Sequence, residues 1–269
     1  MTSRSASCSA ALALLVLVRG SAAEEAPVAV DLAAEAPESR SWSFVDESTV
    51  PRLGEGFVQA RGTHSRYATS PTRPFASNLA APGTMAELGF EAGLGGGFSI
   101  AATAAGSDAF AGAGNGSAGG VAGVRFAPKL TIDGLRLAFT ASYLRELTGA
   151  QGLFGRATAT YDLGAWRFGG TGVLEKVFAT GRDEADVMMV LGVQREIFPR
   201  LRIGVEYVGQ DLEGLVDDEE AEGGARHFMG ATVSYALLDE RLALIAGPSL
   251  GLSSGSPDVL GRASIVARF

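Results

Sequence analysis

Twelve charged side chains stand at alternating positions along this chain and carry most of the chemistry it could offer. Glu87, Glu91, Arg125, Arg136, Arg156, Asp162, Arg167, Glu175, Arg202, Glu206, Arg262 and Arg268 each fall on the segment face that otherwise holds Gly, Ser and Thr. Gathered inside a closed sheet, they have two uses. They could line a passage and select the solutes that cross it. They could instead pair off as a salt-bridged filling that stabilises a narrow interior. Both signs are present, so strong ion selectivity is not expected of them.

Three further clusters are weaker. Residues 211–224 include Asp211, Glu213, Asp217, Asp218, Glu219, Glu220 and Glu222. Hard cations favour such oxygen ligands, but the spacing matches no EF-hand, and a solvated acidic loop explains it as well. There are two histidines. His64 precedes Ser65, and neighbours on an extended chain point to opposite faces. His227 follows the acidic loop and could meet Asp217 or Asp218, the pairing that general acid–base chemistry requires. That arrangement resembles the rim chemistry of omptin proteases, but no matching motif surrounds it. Gly93, Gly95, Gly96 and Gly97 could suggest a phosphate loop, but no helix pattern follows them, so they read as a tight turn. Residues 112–120 read as a flexible surface loop. No metal site, cofactor or catalytic residue is expected.

The elements that must position these charges are strands. Side chains alternate apolar and polar with period two in segment after segment. Leu201, Ile203, Val205 and Tyr207 oppose Arg202, Gly204, Glu206 and Val208; Leu135, Leu137, Phe139, Ala141 and Tyr143 oppose Arg136, Ala138, Thr140 and Ser142. About twelve such segments are expected, near 56–63, 85–94, 97–105, 119–127, 134–145, 152–163, 165–178, 185–197, 201–211, 226–236, 241–252 and 258–269. Ten is the alternative if 56–63 and 97–105 are both misread. Many approach the ~9–11 residues a tilted strand needs to cross a bilayer. No segment after the N-terminal region has 18 consecutive apolar residues, which argues against membrane helices.

A soluble sandwich or a lipocalin-like barrel would alternate with its faces reversed. Three features decide against that. Connections alternate short and long, as in barrels with tight periplasmic turns and longer outer loops. Phe90, Phe126, Tyr161, Trp166, Tyr235 and Phe269 fall at one set of strand ends, and Tyr143 and Tyr207 at the other, as interfacial aromatic girdles would. The opposite face carries charges of both signs, which a lumen tolerates and a dry core does not without pairing.

Both ends of the chain suit this reading. The last residues, VLGRASIVARF, alternate up to a terminal Phe269. An amphipathic final strand ending in an aromatic resembles the assembly signal of bacterial outer-membrane β-barrels. Segments such as GVEYVGQDLE and PRLGEG are similar to hypothetical myxobacterial outer-membrane proteins. The resemblance covers roughly 56–269 and rests on architecture, so it implies the fold and the barrel assembly machinery as a partner, and no particular activity. Residues 1–23 read as a cleaved signal peptide: Arg4, an apolar run at 10–18, then small residues Ser21, Ala22 and Ala23. The one cysteine, Cys8, would leave with it. Losing Arg4 and Arg19 takes the 22 basic residues to 20, against 30 acidic. That balance argues against nucleic acid as a partner.

The expectation is therefore an all-β, transmembrane, antiparallel up-and-down barrel over 56–269. Residues 24–55 would be a flexible periplasmic extension, and both termini would lie in the periplasm. Lipid and lipopolysaccharide would surround the barrel; its oligomeric state is open. A small passive pore with a charge-lined lumen leads. A filled structural or surface-interaction barrel is the alternative, and an outer-membrane enzyme with rim chemistry the third. Twelve strands lie between eight, which side chains fill, and sixteen, which leave a channel.

Overall fold

The computed structural model describes residues 40–66, 83–107, 118–147, 149–178, 185–210, 212 and 225–269. Twelve strands run in chain order: β1 (Gly56–Arg66), β2 (Gly83–Gly95), β3 (Phe98–Ser107), β4 (Ala118–Phe126), β5 (Leu135–Glu146), β6 (Gln151–Leu163), β7 (Trp166–Phe178), β8 (Ala185–Phe198), β9 (Leu201–Gln210), β10 (Arg226–Leu237), β11 (Leu242–Gly251) and β12 (Val259–Arg268). Each pairs antiparallel with its sequence neighbour, and β1 pairs antiparallel with β12, so the sheet closes. This is an up-and-down barrel with no helix among its described residues. Closure leaves no sheet edge to be satisfied by water, which hydrocarbon cannot supply.

Tight turns occupy one end, where left-handed backbone is needed. Gly95, Gly96 and Gly97 have φ of +82°, +61° and +79°. A Cβ on Gly97 would stand 2.6 Å from the Ala127 carbonyl oxygen, so this run serves a close turn. The other tight connections at this end lie at 164–165, 199–200 and 238–241. At the opposite end the acidic loop, including Asp217 and Asp218, and most of 112–120 fall outside the described residues, as do 1–39.

The outer face is the one a bilayer would accept. Leu88, Ile100, Val124, Leu153, Leu174, Leu191, Ile203, Val205, Leu244 and Ile265 are all exposed there. So much exposed apolar surface would drive association in water. Toward the turn end Phe98 stacks on Phe126 at 4.6 Å, and Phe90 on Phe269 at 6.2 Å. The Arg195 guanidinium lies 5.3 Å from the Trp166 ring centre.

The interior differs from expectation in two respects. Residues 40–51, part of the stretch assigned above to the flexible extension, lie inside the barrel, with Ser41, Trp42, Ser43, Val45, Ser48 and Val50 buried. The cause is composition. Trp42, Phe44 and Val45 are apolar enough to repay ordering. Nor is the inward face uniformly polar. Toward the loop end, Phe154, Val173, Met188, Val190, Val208, Phe228 and Leu260 form one apolar cluster with Trp42, Phe44 and Val45. Most of the inward charges occupy the belt beside and below this layer, while Glu146, Glu175 and Arg226 are buried toward the loop end.

Candidate functional site

The site is the middle of the lumen, where residues 40–55 meet the wall. Glu206 on β9 is 1% exposed and faces inward. Its carboxylate accepts three successive backbone N–H groups, from Ser43 at 2.8 Å, Phe44 at 2.5 Å and Val45 at 3.0 Å. Arg262 on β12 holds the same turn from the other side. It donates to the Ser43 carbonyl at 3.0 Å, and its guanidinium stands 4.6 Å from the Phe44 ring centre. Ser43 Oγ also lies 3.0 Å from Thr232 Oγ1. Peptide N–H groups taken out of water need acceptors, and the wall supplies them as a sheet partner would.

Trp42 anchors the segment by shape. It lies against β7 and β8 where both present an inward glycine. A Cβ on Gly192 would stand 2.6 Å from the Trp42 ring, and one on Gly169 would stand 2.9 Å away. Nearby, Gln194 donates to the Ser41 carbonyl at 2.8 Å, and Arg167 to Ser41 Oγ at 3.3 Å.

A charge cluster holds the next residues. Asp46 pairs with Arg125 at 2.5 Å and with Arg156. Arg125 also donates to the Glu47 carbonyl at 2.6 Å and to Glu91 at 3.2 Å, and Glu91 takes Arg40 as well. Burial opposes charge on Asp46, yet Arg125, Arg156 and Arg40 hold its carboxyl well below the usual carboxylate range. Glu47 goes the other way: burial pushes it up, against the pull of the Ser41 N–H and Arg40. The segment reaches the wall beyond Pro51. Leu53 bridges to Gly93, where the Pro51 and Arg52 carbonyls leave no room for a Cβ, and Glu55 pairs with Arg268 at 3.0 Å.

The twelve charges singled out in the sequence sort into groups. Glu91, Arg125, Arg156, Glu206, Arg262 and Arg268 all contact residues 40–55. Arg167 bridges wall and segment, pairing with Asp162 at 2.7 Å, and Arg136 joins Asp162 too. Glu87 pairs with Arg61 and Arg262 at 3.5 and 3.8 Å. Arg202 meets Glu196, at 2.9 Å near the turn end. Glu175 is fully buried toward the loop end. Sequence reasoning missed Arg40, Asp46 and Glu47, because their segment has no alternation to flag it.

The histidines stand apart from all this. His64 is on the outer face with its Nδ1 3.0 Å from Thr84 Oγ1, while Ser65 points inward. The Nδ1 of His227 lies 2.7 Å from the Tyr207 hydroxyl, and the two rings stack. Among the described residues no cluster of His, Cys, Asp and Glu could hold a metal ion.

Together, a closed twelve-strand sheet, an apolar exterior and aromatic rims give this chain the fold of the bacterial outer-membrane β-barrels. No protein family matches the chain by sequence, and no curated protein matches it. Solved structures do. The KdgM porin aligns with a TM-score of 0.54 over 79% of this chain and 99% of its own, at 9% identity. The COG4313 outer membrane channel from Pseudomonas putida F1 aligns with the same TM-score over 81% of this chain and 96% of its own, at 12% identity. At such identities the likeness is one of fold.

Proposed function

We propose that this protein is an outer-membrane channel whose lumen is closed from within by residues 40–55, and that it conducts small solutes passively when the segment withdraws. One observation carries the reading: what fills the lumen is a piece of chain belonging to no strand. Side chains fill an eight-strand interior, sixteen strands leave a channel, and twelve lie between. Here the interior is taken by a segment that joins β1 at Glu55–Gly56 and is held to the wall by hydrogen bonds, ion pairs and one aromatic anchor. Such a filling can leave without breaking the sheet. The KdgM and COG4313 folds, both named as a porin or a channel, support the class. The cleaved signal peptide, periplasmic termini, and contact with lipid, lipopolysaccharide and the barrel assembly machinery belong to this reading.

The test is conductance of the refolded mature chain in a planar bilayer, beside Glu206→Gln. Gln keeps the shape and removes the charge that three N–H groups share. Brief, discrete openings are expected in the parent, and far more frequent ones in the variant. The apolar layer around Met188, Val190, Phe228 and Leu260 favours a second reading, a permanently filled structural barrel. Inserted, folded protein that passes no current in either form would establish that reading instead.

A further inference from the structure

A cavity of about 130 Å³ remains between residues 40–46 and the wall formed by β1 to β6. Four arginines line it, Arg40, Arg61, Arg125 and Arg156, and three acids, Asp46, Glu87 and Glu91. The lining therefore holds one more positive charge than negative. The Nε–H of each of the four arginines is buried and has no acceptor. Arg125 is itself only 4% exposed. The excess positive charge of the lining asks for an anion.

From this we infer a binding site for a small oxyanion, a carboxylate or phosphate group, in the lumen between the inner segment and β1–β6. One negative charge would balance the lining. Guanidinium groups meet such oxygens in forked pairs, and Thr103, Thr140 and Ser142 add hydroxyls to the lining. Phe57 and Phe154 already face Arg40 and Arg156 at 4.8 and 4.9 Å, which fixes those side chains in place. The site is built in the closed lumen, so it stands whether or not the segment ever withdraws.

Calorimetry on the full mature chain in detergent, at fixed sodium chloride, tests it with acetate and inorganic phosphate as separate probes. Saturable binding of at least one probe is expected, weakened tenfold or more by Arg61→Gln and by Arg156→Gln. Arg202→Gln, inside the barrel but outside this cavity, should bind like the parent. Which probe binds identifies the group. Should a Gln variant fail to run as a folded, heat-modifiable barrel, Arg61→Lys keeps the charge and loses the fork, and weaker binding is expected of it too. No saturable binding of either probe by the parent overturns the proposal, as does equal weakening by Arg202→Gln. Because occupancy is read without current, a barrel that never conducts would leave this result intact.

Discussion

Glu206 shows how one buried carboxylate can hold a peptide turn. Hydrogen bonds to a charged group contribute about 1.5–3 kcal/mol each, and neutral ones about half. Replacing the carboxylate by an amide should weaken docking of residues 43–45 by about 2 kcal/mol, roughly thirtyfold in the withdrawn fraction. Trp42 anchors by fit instead. Gly192→Ala would press a methyl against its ring, and overpacking of this kind costs about 1–3 kcal/mol. The two tryptophans, Trp42 and Trp166, lie in different surroundings, the first buried and the second on the outer face. In a Trp166→Phe background, Trp42 fluorescence should be shielded from acrylamide, and Gly192→Ala should expose it. The barrel's own melting should shift less in Gly192→Ala once Trp42→Ala has removed the ring. Equal shifts in both backgrounds would mean that the glycine serves the sheet and not the anchor. Of these residues Glu206 was legible in the sequence as an inward charge. The inward glycines, Gly169 and Gly192, carried a signal too: a strand gives up side-chain packing at such positions where something approaches closely.

At the scale of elements, the strands were readable because period two is written into the side chains. The expected segment 201–211 became Leu201–Gln210, and 226–236 became Arg226–Leu237. The weakest, 56–63, proved to be β1 and the partner of β12. Its alternation is faint because its inward residues Gln59 and Thr63 face an occupied lumen and its outward Ala60 and Gly62 are small. Residues 40–55 could not be read the same way. Their partners lie on β6 to β12 as well as β1, β2 and β4, so no local repeat records them. The cue was chemical: Trp42, Phe44 and Val45 crowd together in an otherwise polar lead. Closure itself depends on the chain's end. Phe269 exchanges backbone hydrogen bonds with Gly56 at 3.0 and 3.1 Å, and its ring lies where a Cβ on Gly56 would be, 2.5 Å away. Deleting Phe269 should lower the yield of heat-modifiable barrel in the outer membrane several-fold. Undiminished yield would show that the seam needs only Arg268 and the residues before it.

For the whole molecule, the inner segment makes the closed state respond to pH. Asp46 has a depressed pKa, so its contribution to docking is present above the ordinary carboxylate range and fades only in strong acid. Glu47 has a raised one, so its contribution is full below its ordinary value of 4.5 and is lost as pH rises through the raised value. Docking should therefore be tightest in mild acid and loosen as pH increases. Acrylamide quenching of Trp42, in Trp166→Phe protein, should grow over that rise. Glu47→Gln keeps an acceptor for the Ser41 N–H without a proton to lose, and should flatten the profile; an unchanged profile would assign the response to another group. Barrel class was legible from alternation, loop lengths and aromatic rims taken together. A filled or an open lumen was not, because the wall charges are the same in both cases and only their partners differ.

Residues 40–55 run straight into β1, so the inner segment and the seam strand form a single mechanical line. A pull applied ahead of residue 40 loads the contacts of Trp42, Ser43 and Asp46 in sequence, like tape peeled from a surface. β1 is then loaded along its length between β2 and β12, where many hydrogen bonds must fail at once. Sixteen residues drawn taut reach about 55 Å, and that length less the span the docked segment already covers is released before the strand feels the force. The molecule thus has a weak fuse in series with a strong seam.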